Sequence, residues 1–337
     1  MKGLWPHVAA LVVAAVLALT IWSRDDKAIR AEESQQVEIW GGSPDQVESV
    51  RFESPKRTVT LSAQKDAVGR YYVTEVDKEE IPRPPPHGAP DAGAPASEPP
   101  KRTDTRFIGV KDANEIVAKL APLLAIRQLG PLGAGRAEEF GFDKPEGTLK
   151  VKIGGAEQAL VIGSATPGGQ ERYAKLERTG VVYAMPGDVV QSMLGAESRL
   201  LERDWHAFQD ADVSKLRITR AGKTREVVPM AAKKGAWADA ATPSKLDESI
   251  GNWLTKVSRL HVMEYVENPP SPLKPEDALV RLDYFAGSKP LGFLELYKLP
   301  GEKGNDYYVR SENSRWFVKV LASAGDQVAE DAPSIVK

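Results

Sequence analysis

No cysteine occurs anywhere in the 337 residues. That excludes disulfides, thiolate metal sites, a cysteine nucleophile and a lipid-modified cysteine together. It fits either side of a bacterial membrane, so it does not fix the compartment. An excess of one charge is also missing: the formal net charge is -2 and the pI about 6.2. Such a balance leaves no electrostatic footprint for nucleic acid. Histidine is scarce, with four in all. His7, His87, His206 and His261 have no second ligand at metal spacing on one element, and no H-E-x-x-H occurs. What remains is a chain of 42% hydrophobic and 27% charged residues, a globular composition long enough for two domains.

Long apolar runs are absent but for one. "LWPHVAALVVAAVLALTIW", Leu4 to Trp22, holds 19 residues without a charge. As a helix it reaches roughly 28 Å, close to the hydrocarbon thickness of a bilayer. Pro6 falls in its first turn, and Trp5 and Trp22 mark its ends. The run is longer than a signal-peptide core and ends without a small-x-small cleavage pattern, so an uncleaved anchor is expected. Residues 1–30 are read as that anchor and its flank. Arg24, Lys27 and Arg30 follow the span and pull the body toward the cytoplasm by the positive-inside rule. The short n-region followed at once by apolar residues is how export signals begin, and on that ground a single-pass inner-membrane protein with a periplasmic body is expected.

The rest of the chain repeats itself. Val50-Arg51-Phe52 falls on Leu216-Arg217-Ile218, and Gly69-Arg70-Tyr71 on Gly235-Ala236-Trp237, both at an offset of 166. Asp112 falls on Thr242, Leu120 on Ile250 and Lys144-Pro145-Glu146 on Lys274-Pro275-Glu276 at 130. The offset falls from 166 to 130, so about 36 extra residues are expected in the first copy. "PRPPPHGAPDAGAPASEPP", Pro82 to Pro100, lies in that window. Its composition cannot bury enough apolar surface to offset ordering entropy, so a disordered excursion over about 77–105 is expected inside repeat one.

Each copy reads as strands, a helix, then strands. Val50 and Phe52, then Val59 and Leu61, alternate with polar partners. "DANEIVAKLAPLLAIRQL" opens with Asp112 and Glu115 at capping-box spacing and carries apolar residues at 116, 120, 123 and 124. Pro122 should kink that helix or end it early. The second helix is expected to start at Thr242 as N-cap with Pro243 behind it. "RYAKLERTGVVYAM" and "YYVRSENSRWFVKV" each read as a hairpin. The expected fold class is α+β: an N-terminal transmembrane helix, then two tandem repeats of antiparallel sheet plus one helix. Residues 47–195 form repeat one, 196–212 a linker, 213–328 repeat two and 329–337 a tail.

Two units of this kind behind one span resemble the bacterial family catalogued as domain of unknown function 4340. The residues carrying the resemblance are Gly235-Ala236-Trp237, the "EEFGFDKPEGTLKVKIGG" block from Glu138 to Gly155, and "LVIGSATPGGQERYAKLERTGVVYAM" after it. Repeat two departs from the pattern, reading "SPLKPE" where the first has the Phe140-Gly141-Phe142 triplet. The resemblance covers roughly residues 47–328. It implies an extracytoplasmic companion of ABC-type transport systems, some of them resembling those linked to gliding motility, and it carries no catalytic residue.

No catalytic, cofactor or metal site emerges from the residues. Gly133-Ala134-Gly135-Arg136-Ala137-Glu138 starts like a dinucleotide fingerprint but has Glu at the third glycine, and it follows a helix. Gly163 to Gln170 is glycine-rich without the Lys-Ser/Thr of a phosphate loop, and no Ser lies in G-x-S-x-G. Glu138 with Glu139, and Glu202 with Asp204, are expected on solvated surface. Trp237, Trp253, Tyr297, Tyr307, Tyr308, Trp316 and Phe317 crowd the second copy; most should be core, and an exposed subset would mark a partner surface. The expected function is a non-enzymatic binding or assembly component of an envelope transporter. Its partners would be the bilayer, through Leu4 to Trp22, and transporter subunits, with no nucleic acid and no cofactor. An envelope hydrolase or carbohydrate-processing enzyme is the alternative.

Overall fold

The computed structural model describes residues 36–80, 101–230, 235–302 and 304–337. The expected span Leu4 to Trp22 with its flank, the segment Pro82 to Pro100, and with them His7 and His87, lie outside the described residues. Among the described residues no helix is long and apolar enough to cross a membrane.

The chain is a mixed α/β protein with mostly antiparallel sheets and, among the described residues, five α-helices. A two-stranded ribbon pairs β1 (Val37–Trp40) with β6 (Leu123–Ala125). The first large sheet has nine strands. In spatial order they are β5 (Lys101–Gly109), β4 (Arg70–Glu80), β3 (Arg57–Lys65), β2 (Val47–Ser54), β8 (Gly147–Ile153), β9 (Ala156–Ala165), β10 (Glu171–Leu176), β11 (Val181–Pro186) and β7 (Arg127–Pro131). The second has eight. Their order is β14 (Trp237–Asp239), β13 (Lys223–Pro229), β12 (Lys215–Arg220), β16 (Val280–Ala286), β17 (Lys289–Gly301), β18 (Gly304–Ser311), β19 (Phe317–Val320) and β15 (Glu264–Val266). With β5 set aside, the two orders coincide term by term.

The ladders match as well. Phe52 faces Leu149 as Ile218 faces Leu282, and Ala174 faces Tyr183 as Val309 faces Val318. These apolar residues alternate with polar ones, so a single register puts each set on one buried face. The extra strand β5 sits where the chain has its excursion. It pairs with β4 from Tyr72↔Gly109 down to Glu80↔Lys101. Residues 77–80 and 101–105, expected as unstructured, are therefore strand, and the ladder brings the two ends of the 81–100 segment together.

By contacts the chain splits into two compact units: Met1–Pro55 with Ile116–Gln191, and Lys56–Glu115 with Ser192–Lys337. This division does not follow the expected boundaries at 47–195 and 213–328, because β3, β4 and β5 group with the second unit.

The helices correct three expectations. Helix α1 is Lys111–Leu120, so Asp112 is inside its first turn and not the N-cap. It stops before Pro122; Leu123 is buried in β6 and Leu124 is exposed. Helices α2 (Asp188–Leu194) and α3 (Ala196–Arg199) follow the first sheet. Helix α4 is Glu248–Val257, and its N-cap is Asp247, whose carboxylate accepts the Ile250 amide at 3.2 Å; Thr242 lies in a turn five residues upstream. The tail expected at 329–337 instead begins with the second half of helix α5 (Ala322–Ile335), and Val328, Ala332 and Ile335 of that helix, with Val336 as its C-cap, are buried in the core of the second unit.

Helix register changes the repeat alignment. In α1 the buried residues are Ala113, Ile116, Val117 and Leu120; in α4 they are Ile250, Trp253 and Val257, with Leu254 packed beside them. These patterns superimpose at an offset of 137, as do Gln128 facing Tyr183 and Tyr265 facing Val318. Leu120 therefore matches Val257, and not Ile250. The offset of 130 slips the helix by seven residues, two turns, which leaves the apolar periodicity almost intact. The first copy's excursion is then 29 residues long, and the loop between β7 and β8 is four residues longer than its counterpart, because the ladders set Leu149 on Leu282 at an offset of 133.

Candidate functional site on the outer face of the second sheet

The titratable groups that sequence reading singled out do not converge. His261 and Glu138 are exposed, and Glu139 pairs with Arg136 at 2.7 Å within one turn. Gly163 to Ala165 end β9, and the rest of that glycine-rich stretch turns into β10, with Gly168 and Gly169 at positive φ. Among the described residues no group of His, Cys, Asp or Glu could hold a metal ion.

One buried carboxylate, Glu202, departs from the expectation of solvated surface, and a second, Glu312, is buried as well. Glu202 is 7% exposed and accepts the amides of Lys111 (3.1 Å), Arg203 (3.0 Å) and Asp204 (2.8 Å). It supplies to the first turn of α1 the acceptor that Asp112 does not, from 91 residues away. Glu312 accepts His206 Nδ1 at 3.0 Å, the Ala207 amide at 3.4 Å and the Phe293 amide at 2.9 Å. A Cβ on Gly292 would fall 2.3 Å from its carboxyl carbon, so any side chain there would push the Glu312 carboxylate out of this position. His206 also stacks on Phe208 and meets the Tyr284 ring at a tilt, ring centroids 4.6 and 4.4 Å away. Burial, and then the charge of Glu312, push the Tyr284 hydroxyl well above its usual range. All four oxygens are engaged inside the chain. These two glutamates fasten the linker between the copies.

The outer faces of the two sheets are the informative comparison. On the first, Arg51, Glu53 and Lys150 form ion pairs at 2.6 and 3.0 Å, and Glu48 meets Lys152 at 2.6 Å, all on solvated side chains. Further along, the loop after β7 lies on β9. The Ser164 amide donates to Phe140 O at 2.9 Å, and a Cβ on Gly163 would stand 2.1 Å from that oxygen. Gly141, at φ +75°, brings the chain within 2.6 Å of the Ser164 amide nitrogen, measured from where a Cβ would be. Phe140 meets Tyr173 edge-on at 4.9 Å, and Lys175 Nζ sits 5.4 Å from the Phe142 ring centre. This Phe140-Gly141-Phe142 loop is a lid over β9 and β10.

The second sheet has no lid. By ladder register the loop after β15 is four residues shorter than the loop after β7, and none of residues 267–277 is buried. At positions equivalent by ladder register to Ala159, Val161, Gly163, Lys175 and Val182 stand Phe293, Glu295, Tyr297, Arg310 and Phe317. Tyr297 fills the place of the lid backbone at Gly163. Its hydroxyl donates to Glu295 at 2.7 Å, and burial and that bond push its pKa up. Glu295, 1% exposed, also pairs with Arg281, which reaches Asp283 at 2.8 Å and lies 4.7 Å over the Phe293 ring. Arg310 differs from its neighbours. Its guanidinium lies 6.0 and 5.8 Å from the ring centres of Phe293 and Phe317, and it has no carboxylate partner among the described residues. Phe293, Arg310, Trp316 and Phe317 are all half-buried, whereas Trp253, Tyr297, Tyr307 and Tyr308 are buried. The half-buried members of the aromatic set are therefore Trp237, which packs against the core, and Trp316 and Phe317, with Phe293, which the sequence alone did not single out, on the same face as Phe317. Such a surface has the cation and aromatic side chains of a binding face, and the Tyr297 hydroxyl beneath it is buried and engaged by Glu295.

No curated protein and no solved structure matches the chain significantly. The family model described as Domain of unknown function (DUF4340) matches residues 111–278, from α1 through the turn before β16. The match supports a domain of unknown function 4340 family for this chain.

Proposed function

We propose that this protein is a membrane-anchored binding or assembly component, without catalytic activity, that works outside the cytoplasm beside an ABC-type transport system. The observation that carries the binding reading is Arg310, a cation without a carboxylate partner among the described residues, set between two half-buried phenylalanines. Guanidinium and aromatic side chains are enriched where proteins dock. The anchor rests on the apolar run from Leu4 to Trp22, and the transport role on the family resemblance.

The test is affinity purification of the full chain from detergent-solubilised membranes, beside an Arg310→Glu variant. Transporter subunits should co-purify with the native chain and be depleted with the variant. An equal yield of subunits from both would remove this face from the interaction, and no subunits from either would remove the transport role. Mass spectrometry of the mature chain should find it starting at or near Met1; a start beyond Trp22 would end the case for a retained anchor.

A further inference from the structure

Seven large apolar side chains are exposed among the described residues. Three of them, Leu124, Ile126 and Leu129 (36, 38 and 40%), stand within six positions on β6 and β7, and β7 is the terminal strand of the first sheet. Around them the chain carries no acid. Residues 121–137 include no Asp or Glu, against 47 in the 337 residues of the whole, and their only charges are Arg127 and Arg136. Arg136 is paired with Glu139 at 2.7 Å, whereas Arg127 is exposed and meets Glu171 only at 3.6 Å.

Two kinds of occupant fit this edge poorly. A partner strand needs an unbroken ladder, but Pro131 of β7 has no N–H to donate. A bulge between Gln128 and Gly130 also leaves Leu129 without a ladder partner. A protein hot spot draws on aromatic side chains, and residues 121–137 contain none. Aliphatic side chains beside a cation, free of acid, suit a lipid surface. The course of the chain points the same way. Strand β1 lies on β6, with Val37 facing Ala125 and Glu38 facing Leu124. It is also where the chain arrives from the expected span: 14 residues separate Trp22 from Val37, a reach of at most about 50 Å.

We propose that the β6–β7 edge, at Leu124, Ile126, Arg127 and Leu129, rests on the bilayer surface. The aliphatic side chains enter the headgroup layer and Arg127 pairs with lipid phosphate. The tether brings the first unit to the membrane by the side that carries them. This docking rests on the anchor read from Leu4 to Trp22 and is independent of the transport role.

Because the chain has no cysteine, a single label can be placed at a chosen position. Full-chain Ser23→Cys, Arg51→Cys and Leu129→Cys variants, each carrying bimane, are reconstituted into vesicles of phosphatidylethanolamine and phosphatidylglycerol with a nitroxide lipid as quencher. Ser23 adjoins the span, and Arg51 lies on β2, five strands from β7, or about 24 Å at the usual strand spacing. Quenching at Leu129→Cys should approach that at Ser23→Cys and exceed that at Arg51→Cys several-fold. Adding Ile126→Ser and Arg127→Glu should bring it down to the Arg51→Cys level without moving the thermal midpoint, since both side chains are exposed. Quenching that ignores those two substitutions would come from the label itself and would overturn the docking. Quenching at Ser23→Cys, with Leu129→Cys no higher than Arg51→Cys, would overturn the docking and keep the anchor. No quenching at Ser23→Cys would remove the anchor, and the docking with it. A label at Leu129→Cys that is blue-shifted but unquenched would show protein, such as a second copy, on this edge, and would overturn the docking as well.

Discussion

The two sheets are built in the same strand order, yet they are finished differently. The first covers β9 and β10 with a loop and needs Gly163 and Gly141 to let it lie flat. The second has a shorter loop and sets Phe293, Glu295 and Tyr297 where the first has Ala159, Val161 and Gly163. A duplicated framework can thus keep its core and change its surface. The inward positions stay apolar in both copies because a one-residue slip would expose every one of them. The outward positions answer only to what lies on top of them, and there the copies have diverged furthest.

The largest effects should come from the shared framework. Trp253 and Ile116 occupy the same position of α4 and α1, both buried. Trp253→Ala should cost about 3–5 kcal/mol, since it opens a large cavity and orphans the Val328 carbonyl that its indole N–H reaches at 3.0 Å. Ile116→Ala should cost about 2–5 kcal/mol. Denaturant unfolding would check both. A negligible cost for either would break the equivalence of the two helices.

Next comes the lid. Gly163→Val forces a side chain against Phe140 O and should cost about 1–3 kcal/mol, the usual penalty of overpacking. Amide exchange should show the Ser164 amide losing protection, because its bond to Phe140 O is what the valine displaces. An unchanged exchange rate there would mean the lid is not held by β9.

Smaller effects separate the helix caps. Asp247→Ala should cost about 1 kcal/mol, whereas Asp112→Ala, inside the first turn of α1, should stay within about 0.5 kcal/mol. Asp247 also has a pH signature. Burial alone would raise its pKa, but the Ile250 amide and then Arg225, at 2.8 Å, outweigh it and hold the carboxyl below its usual value. A depressed carboxyl contributes stability that is present above its unfolded pKa of about 3.9 and is lost as pH falls through the folded value. Asp247→Asn keeps a capping oxygen and should flatten the acid limb of the stability curve below about pH 4. Urea midpoints from pH 6 to pH 2 would measure it, and an acid limb as steep as the native one would contradict the assignment.

Much of this architecture was legible in the sequence, and the failures have physical causes. Alternation at Val50-Phe52 and Leu216-Ile218 exposed the duplicated strands, since a half-buried strand needs a period of two. Helix register was misread because seven residues make nearly two whole turns, so Leu120 could be set against Ile250 without disturbing the apolar pattern. The cap of α1 was out of reach: Glu202 is 91 residues from Lys111, and no local pattern records such a partner. Helix α5 was missed because Ala322–Ile335 is rich in small residues and contains Pro333, a weak helical signature rescued by packing of Val328, Ala332 and Ile335. At the candidate site, Phe317 and Trp316 could be named from composition. Arg310 could not, because its lack of a partner depends on where Glu295 and Arg281 place their charges.

Hydroxyl-radical footprinting of the purified full chain tests the central contrast most directly, by reading Phe140, Phe293 and Phe317 in a single sample. A lidded first face and an open second face predict that Phe293 and Phe317 are oxidised several-fold faster than Phe140. Equal protection of all three would contradict the account, because the second face would then be as covered as the first.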